Sequence, residues 1–545
     1  MFNILQIFLS KPFVFLQMVL LSLFANVLAL ITPIFVILVF NRYVSAGVDA
    51  TLATLAIGAF IAITFEYFFR RARYFFAVRL VEERFVEQDR QIFTSVSKAQ
   101  YLPISSLEPS QLRSCFGLSS TLKTVYSPAN LSLILDVPFA FLFILAIYLI
   151  SPILAGITLF LIIVTFLFTF LFQVGLRKPV SDEQQVATVR SRLIDTAIFS
   201  PGTIRAFDTS DSQILEWDRL TGTLQKIRNY VSNSQNRIQT IVRTSSSILT
   251  VIIITVGATM VTKGVLDIGA LIGVNILAAR ALLPIIGLSQ QVESWAKAKE
   301  ANSVISSLQK IPLVSSEGTG INKSSVGVEL RDIGFSYPYN HRPVFDKVNV
   351  SIKSGEILCV YGGNGTGKTT LAKMLCGLIP PGPGSIFVDG ISLQQISTEW
   401  WFNKIIYLPQ EPDFINGTIR DNFLAYNPEL KASDIHDLLK RVDLLALVDE
   451  TPEGLDQTIK DNGRRLSLGM RRRLALARAL CHDGVLAILD EPTEGMDPQG
   501  ASAVYNLMNE LAEKKCTMVV FSHDRNIVRG AHEFLNLDES RDPPN

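Results

Sequence analysis

An excess of charge of either sign is missing from this chain. Its 545 residues carry 50 lysines and arginines against 49 aspartates and glutamates, a formal net charge of +1. That balance gives no reason to expect a polyanion, so nucleic acid is set aside as a partner. Cysteine is scarce too. The five (Cys115, Cys359, Cys376, Cys481 and Cys516) show no spacing such as C-x2-C, which excludes a cysteine-built metal site of that kind. They are expected to be reduced thiols used for packing. Charge is absent altogether from residues 13–40. This run has no convincing charged start and no small-residue cleavage site, and it is too long for the core of a signal peptide. It exceeds the roughly 20 residues that cross a bilayer, so a membrane helix is expected, kinked at Pro33.

The length excludes one core, because single cores rarely grow past roughly 250–300 residues. The long apolar runs lie almost entirely in the first 300 positions. After the first, spans are expected at 52–69, 131–150, 153–176, 248–261 and 268–288, six in all. Lysine and arginine orient them. Nine lie between Arg70 and Lys123 and ten between Arg177 and Arg243, whereas the short connections offer Arg42 and Lys263. The two long segments and both termini are therefore expected in the cytosol. Those segments are mixed-charge and helix-forming, with breaks at Pro103, Pro109 and Pro201-Gly202. Long helical hairpins are expected, with tips near 102–112 and 198–204 that touch the second domain. Glu66 and Asp136 sit near cytosolic ends, where snorkelling or a lipid-facing rim would account for them. Arg280 lies deeper, after Ala278 and Ala279, and is expected to face a bundle interior or a watery cavity.

A Ser/Gly-rich stretch begins at Leu308, giving a linker at 308–327 between domains at 1–307 and 328–545. From Val328 the pattern changes to short strands, expected at 328–330, 348–352, 357–361 and 385–388. Gly362-Gly363-Asn364-Gly365-Thr366-Gly367-Lys368-Thr369, then Thr370, fits G-x-x-x-x-G-K-[ST]. An apolar strand precedes it, and a helix over 368–378 should follow. Glycines let backbone N–H groups turn around a phosphate, and the helix N-terminus adds partial positive charge. Lys368 reaches phosphate oxygens, and the Thr369 hydroxyl suits Mg²⁺. ATP is the expected ligand. Val485-Leu486-Ala487-Ile488-Leu489-Asp490-Glu491 is an apolar strand ending in two carboxylates. One suits the metal, and the other suits polarising the attacking water.

Between these motifs lies Leu466-Ser467-Leu468-Gly469-Met470, leading into Arg471-Arg472-Arg473-Leu474. Motif by motif and in order, residues 328–537 resemble the nucleotide-binding domain of ABC transporters. The resemblance implies ATP contacts from Tyr337, Gly362, Gly363, Asn364, Gly365, Thr366, Gly367, Lys368, Thr369, Thr370, Ser467 and Gly469. It implies Thr369, Gln410 and Asp490 at the metal, and Glu491, His523 and Gln410 in catalysis. It also implies two ATPs sandwiched between two chains, with Asp497 in a loop that crosses to the partner. The usual family pattern is L-S-G-G-Q. Leu468 and Met470 depart from it, which predicts slowed hydrolysis, and Glu494-Gly495-Met496 is unusual as well.

The implied fold is an all-α six-helix transmembrane exporter domain followed by an α/β P-loop NTPase. Leu135-Asp136-Val137-Pro138-Phe139 and Ala279-Arg280-Ala281-Leu282-Leu283-Pro284 resemble the type I protein-secretion subgroup. That subgroup implies a homodimer in the bacterial inner membrane exporting a polypeptide, with its ATPase domain in the cytoplasm. A periplasmic adaptor and an outer-membrane channel are the implied partners. No peptidase-like domain precedes the first span, which points away from a leader-cleaving exporter. Export of a lipid or small amphiphile is the alternative within the family. An ATP-binding regulatory or assembly subunit is the alternative outside it.

Overall fold

The structure is a computed structural model that describes residues 11–44, 49–315, 317–321, 323, 325–338 and 342–539. The expected turn after the first span therefore lies in part outside the described residues, as do linker positions Ser316, Asn322 and Ser324. The chain divides into two compact units. One holds Met1–Lys98 and Ser106–Ile311; the other holds Ala99–Ser105 and Pro312–Asn545.

The first unit is helical. Helix α1 (Pro12–Leu28) stops four residues short of Pro33, and α2 (Ile31–Leu38) resumes beyond a turn at Ala29 and Leu30. Proline has no N–H for the carbonyl four residues back, which places the break there. The next helix, α3 (Asp49–Lys98), runs unbroken for 50 residues, about 75 Å at 1.5 Å per residue. Short α4 (Tyr101–Ser105) belongs to the second unit. Back in the first unit follow α5 (Pro109–Val125), α6 (Pro128–Asp136) and α7 (Ala140–Ile150). A 3₁₀ turn at Val137–Phe139, where Pro138 interrupts the ladder, separates α6 from α7. Then come α8 (Pro152–Val174), α9 (Arg177–Phe199), α10 (Pro201–Ala206), α11 (Ser210–Thr262), α12 (Ile268–Gln290) and α13 (Val292–Gln309). Among the described residues, six stretches are long and apolar enough to cross a membrane. Each covers one of the expected spans.

The acidic residues near the span ends do not face lipid. Asp136 takes two bonds from Arg73, at 2.5 and 3.1 Å, and one from Asn26 at 2.9 Å. Arg73 is 5% exposed and also donates to Ser22. Glu66 accepts from Arg70 at 2.9 Å and lies 3.9 Å from Arg280, whose Nη2 reaches Thr32. The expectation of snorkelling is thus corrected. An unpaired carboxylate in this setting is costly, and α1, α3 and α6 converge to pair it.

In the second unit, β1 (Val328–Phe335) pairs antiparallel with β2 (Phe345–Ile352), across irregularities around Asp332. Both run longer than the apolar runs suggested: Asp332 and Gly334 interrupt the hydrophobic pattern of β1 without ending the ladder, and β2 starts three residues early, at buried Phe345 paired with Phe335. Strand β3 (Ile357–Tyr361) leads through the glycine loop into α14 (Lys368–Leu375). This helix ends three residues earlier than expected. Gly377, at φ 77°, takes the left-handed conformation, with Gly377 N–H bonding to Met374 O and Leu378 N–H to Lys373 O. That is the Schellman stop glycine favours. Strands β4 (Ser385–Val388) and β5 (Ile391–Ser392) complete an antiparallel sheet in the order β2-β1-β4-β5. The glycine loop and the acidic strand end belong to a second sheet. It is built from β3, β6 (Ile405–Leu408), β9 (Leu486–Asp490), β10 (Thr517–Phe521) and β11 (Glu533–Asn536), in the parallel order β11-β3-β10-β9-β6. Two-residue β7 (Gly417–Thr418) and β8 (Thr458–Ile459) pair beside it. Helices α15 (Ala432–Arg441), α16 (Leu468–Ala479), α17 (Pro498–Glu513) and α18 (Arg525–Gly530) are among the unit's helices.

Residues 99–105 are part of this unit's packing. Tyr101 and Leu102 lie on the core formed by β1, β3 and α14, and the Tyr101 hydroxyl accepts from Lys373 at 3.1 Å. Ala99 bridges to Leu313. The tip expected near Leu102 thus folds with the second unit.

Candidate nucleotide site

Parallel sheets place their working residues beyond the carboxyl ends of the strands. Here β3, β9 and β10 end beside one another and deliver the glycine loop, Asp490 with Glu491, and His523. Gly367 caps α14 at φ 97°, and a Cβ there would stand 2.5 Å from Val344 and 2.7 Å from Phe345. Only glycine fits that conformation and that space. Lys368 Nζ donates to Gly362 O at 2.7 Å, meets His523 Nε2 at 2.8 Å and lies 3.6 Å from Glu491. His523 lies 3.9 Å from the same carboxylate. Glu491 itself has φ 48°, a conformation costing on the order of 1–3 kcal/mol outside glycine. Its N–H donates to Phe521 O at 2.8 Å, which holds the turn. The strained backbone brings the carboxylate round to the lysine.

Asp490, at the buried end of β9, is 1% exposed, and among the described residues neither of its oxygens has a hydrogen-bond partner at ordinary bonding distance. The neighbouring Thr369 hydroxyl donates instead to Gln410 Oε1 at 3.3 Å. Burial pushes the Asp490 carboxyl up to about 6, with Glu491 adding to the push and Thr369, Lys368 and Lys373 opposing it. A buried carboxylate beside a hydroxyl and an amide oxygen is an all-oxygen donor set of the kind Mg²⁺ takes. The residues present fit that ion.

Tyr337 packs edge-on to Phe335, and its hydroxyl lies 3.1 Å from Thr370 Oγ1. Thr366 is buried and bonds back to Gly363 O. Gly362 opens the loop at φ 153°, and Asn364 and Gly365 form its exposed crest. Ser467 is the N-cap of α16, its hydroxyl accepting from Met470 N–H at 3.2 Å, and Gly469 lies in the first turn. Among the described residues no hydrogen bond joins Ser467 to the glycine loop. The structure thus gathers Lys368, Thr369, Gln410, Asp490, Glu491 and His523 at one place and sets Ser467 and Gly469 on another element. Asp497 caps α17 through Gly500 N–H.

Three residues near the site carried no distinct signal in the sequence. Arg472 is 2% exposed and bonds Gln410 O and Glu494. It was hidden in a run of three arginines, which reads as a solvated basic face. Asp538 accepts from Gly363 N–H at 3.1 Å. Asp524 caps α18 and accepts from Thr493 and Tyr505, holding the turn after His523.

A profile of the ABC transporter family matches residues 345–494. The Escherichia coli alpha-hemolysin translocation ATP-binding protein HlyB is 24% identical over 536 residues, 97% of this chain and 75% of the relative. The leukotoxin export ATP-binding protein LtxB of Aggregatibacter actinomycetemcomitans is 24% identical over 536 residues, 96% of this chain and 74% of the relative. The toxin RTX-I translocation ATP-binding protein of Actinobacillus pleuropneumoniae is 23% identical over 532 residues, 97% of this chain and 75% of the relative. The chain carries the ATP-binding domain of an ABC transporter and is homologous, along nearly its whole length, to translocation ATP-binding proteins.

Proposed function

We propose that two copies of this chain form an ATP-driven exporter of a polypeptide across a bacterial inner membrane, in the manner of type I secretion. The observation that carries this reading is the extent of the likeness. It covers 97% of the chain, so it includes the helical unit that would meet cargo as well as the ATP-binding domain. The six apolar stretches supply the membrane passage, with the ATP-binding domain on the cytoplasmic side. A periplasmic adaptor and an outer-membrane channel would carry the cargo onward.

The site residues support a division of labour. Lys368 and the loop N–H groups bind the phosphates, and Tyr337 offers a ring for the adenine. Thr369, Asp490 and Gln410 would hold Mg²⁺, which supplies charge neutralisation at the β- and γ-phosphates. Glu491 polarises the attacking water and His523 positions it against the lysine. Ser467, with backbone N–H groups of the first turn of α16, would meet the γ-phosphate held by the second copy. That partnership accounts for Ser467 standing apart from its own chain's loop.

The test is export. Cells carrying Glu491→Gln in place of the parent chain should lose one or more polypeptides from the medium. An unchanged set of exported polypeptides beside an altered lipid composition would favour the lipid alternative. A parent protein that binds but does not turn over ATP would favour the regulatory one.

A further inference from the structure

Gln410 is held at both ends. Its side-chain nitrogen donates to Glu494 Oε2 at 3.3 Å, while its side-chain oxygen accepts from Thr369 Oγ1 at 3.3 Å. Its backbone carbonyl accepts from Arg472 Nε and Nη2 at 3.1 and 3.0 Å. Arg472 Nη2 also donates to Glu494 Oε2 at 3.1 Å. Both bonds to Glu494 therefore land on one oxygen. A side-chain amide has two orientations that exchange nitrogen and oxygen, and its hydrogen-bond partners select between them. An acceptor at Glu494 draws the nitrogen to its side and leaves the oxygen facing Thr369, where a hard cation needs it.

We propose that Glu494 is a positioning residue for the metal site. It fixes the Gln410 amide with its oxygen toward Thr369, and through Arg472 it ties that orientation to α16, the helix Ser467 caps. The proposal rests on the ATP-site reading above and adds a link within one subunit. A shift of α16 moves Arg472, and with it both the backbone and the side chain of Gln410. The unusual loop Glu494-Gly495-Met496 then has a task, and the buried charge of Arg472 has its counter-ion.

The readout is the metal's contribution to nucleotide affinity. It is the ratio of the Kd for trinitrophenyl-ATP in EDTA to that in Mg²⁺, measured by fluorescence on the purified full chain. Groups that orient metal ligands typically change metal affinity about 10- to 100-fold. Glu494→Ala should lower the ratio about tenfold and leave the EDTA Kd at the parental value. Glu494→Gln keeps an oxygen where Oε2 stands and should restore the ratio. An alanine variant with the parental ratio, or a glutamine variant as impaired as alanine, overturns the proposal. Should Glu494→Ala fail to fold around an unpaired Arg472, Glu494→Ala with Arg472→Met removes the buried charge as well. It is expected to show the same lowered ratio, and the parental ratio would again overturn the role. A parent chain that binds no nucleotide overturns the ATP-site reading as well, whereas a parental ratio in the variants sinks the positioning role alone.

Discussion

Leu468 lies against Gly495: a Cβ at Gly495 would stand 3.1 Å from Leu468 Cδ2. Leu468 is the first residue of α16, and Gly495, at φ 66°, belongs to the loop between Glu491 and Asp497. The bulk that departs from the family pattern is therefore received by a residue with no side chain. Met470, Leu466 and Met496 pack half-buried on the same core.

The first prediction follows from that fit. Leu468→Gly with Met470→Gln should not release a restrained loop; it should loosen a packed one. Glycine costs about 1 kcal/mol in a helix interior and less at the first position, where Leu468 stands, and each lost methylene of burial costs about 0.8 kcal/mol. A loss of roughly 1–3 kcal/mol in stability and no gain in basal ATPase are expected. A tenfold faster ATPase at an unchanged Tm would show instead that Leu468 and Met470 restrain closure, as the sequence pattern suggested.

Glu491→Gln should keep ATP affinity and lose most hydrolysis, because only water activation is removed. General-base contributions are typically about 10²- to 10⁴-fold. Lys368→Ala should instead weaken binding, since its ammonium sits where phosphate oxygens would arrive. Parental hydrolysis in the first variant would reassign the carboxylate, and parental affinity in the second would reassign the lysine.

How much of this was legible in the sequence depended on the range of each interaction. The glycine loop between a strand and a helix and the acidic strand end are local patterns, and the elements that carry them stand at the expected positions. The stop at Gly377 was local too, but an apolar run to Leu378 masked it. The bonds from Arg472 to Gln410 and Glu494 join residues 62 and 22 positions apart. No periodicity marks such a pair. Asp136 was visible as a charge near a span, but its partners on α1 and α3 are 110 and 63 positions away. Snorkelling or a lipid-facing rim were therefore the local explanations open to the sequence.

The five native cysteines should not confuse a crosslinking test of the two-chain site. All are buried and unpaired, and burial pushes Cys359 and Cys516 up to about 11 and Cys481 to about 12. Near neutral pH they remain thiols, and thiolate is the reactive form. N-ethylmaleimide should label the folded parent slowly and the denatured chain fully. Against that background, Ser467→Cys paired with a cysteine in the glycine loop should crosslink between chains only with ATP. If no ATP-dependent crosslink forms, Ser467 does not meet a partner's nucleotide.

The last prediction concerns the ion pair of the helical unit. Arg73 is 5% exposed and finds its counter-charge in Asp136; Arg73 also donates to Ser22, and Asp136 also accepts from Asn26 and lies 3.8 Å from Arg70. Breaking a buried pair by removing one partner typically costs about 3–5 kcal/mol, because the other charge is left uncompensated. Replacing both partners with apolar groups costs far less, and is often neutral. Asp136→Asn should therefore lower the Tm of the purified protein strongly, whereas Asp136→Leu with Arg73→Met should recover most of the loss. The recovery separates electrostatics from packing, since two altered side chains disturb the helix contacts more than one. If the double variant were as unstable as the single, the pair would hold α1, α3 and α6 together by its shape and hydrogen bonds rather than by cancelling charge. If neither changed the Tm, water would reach both groups.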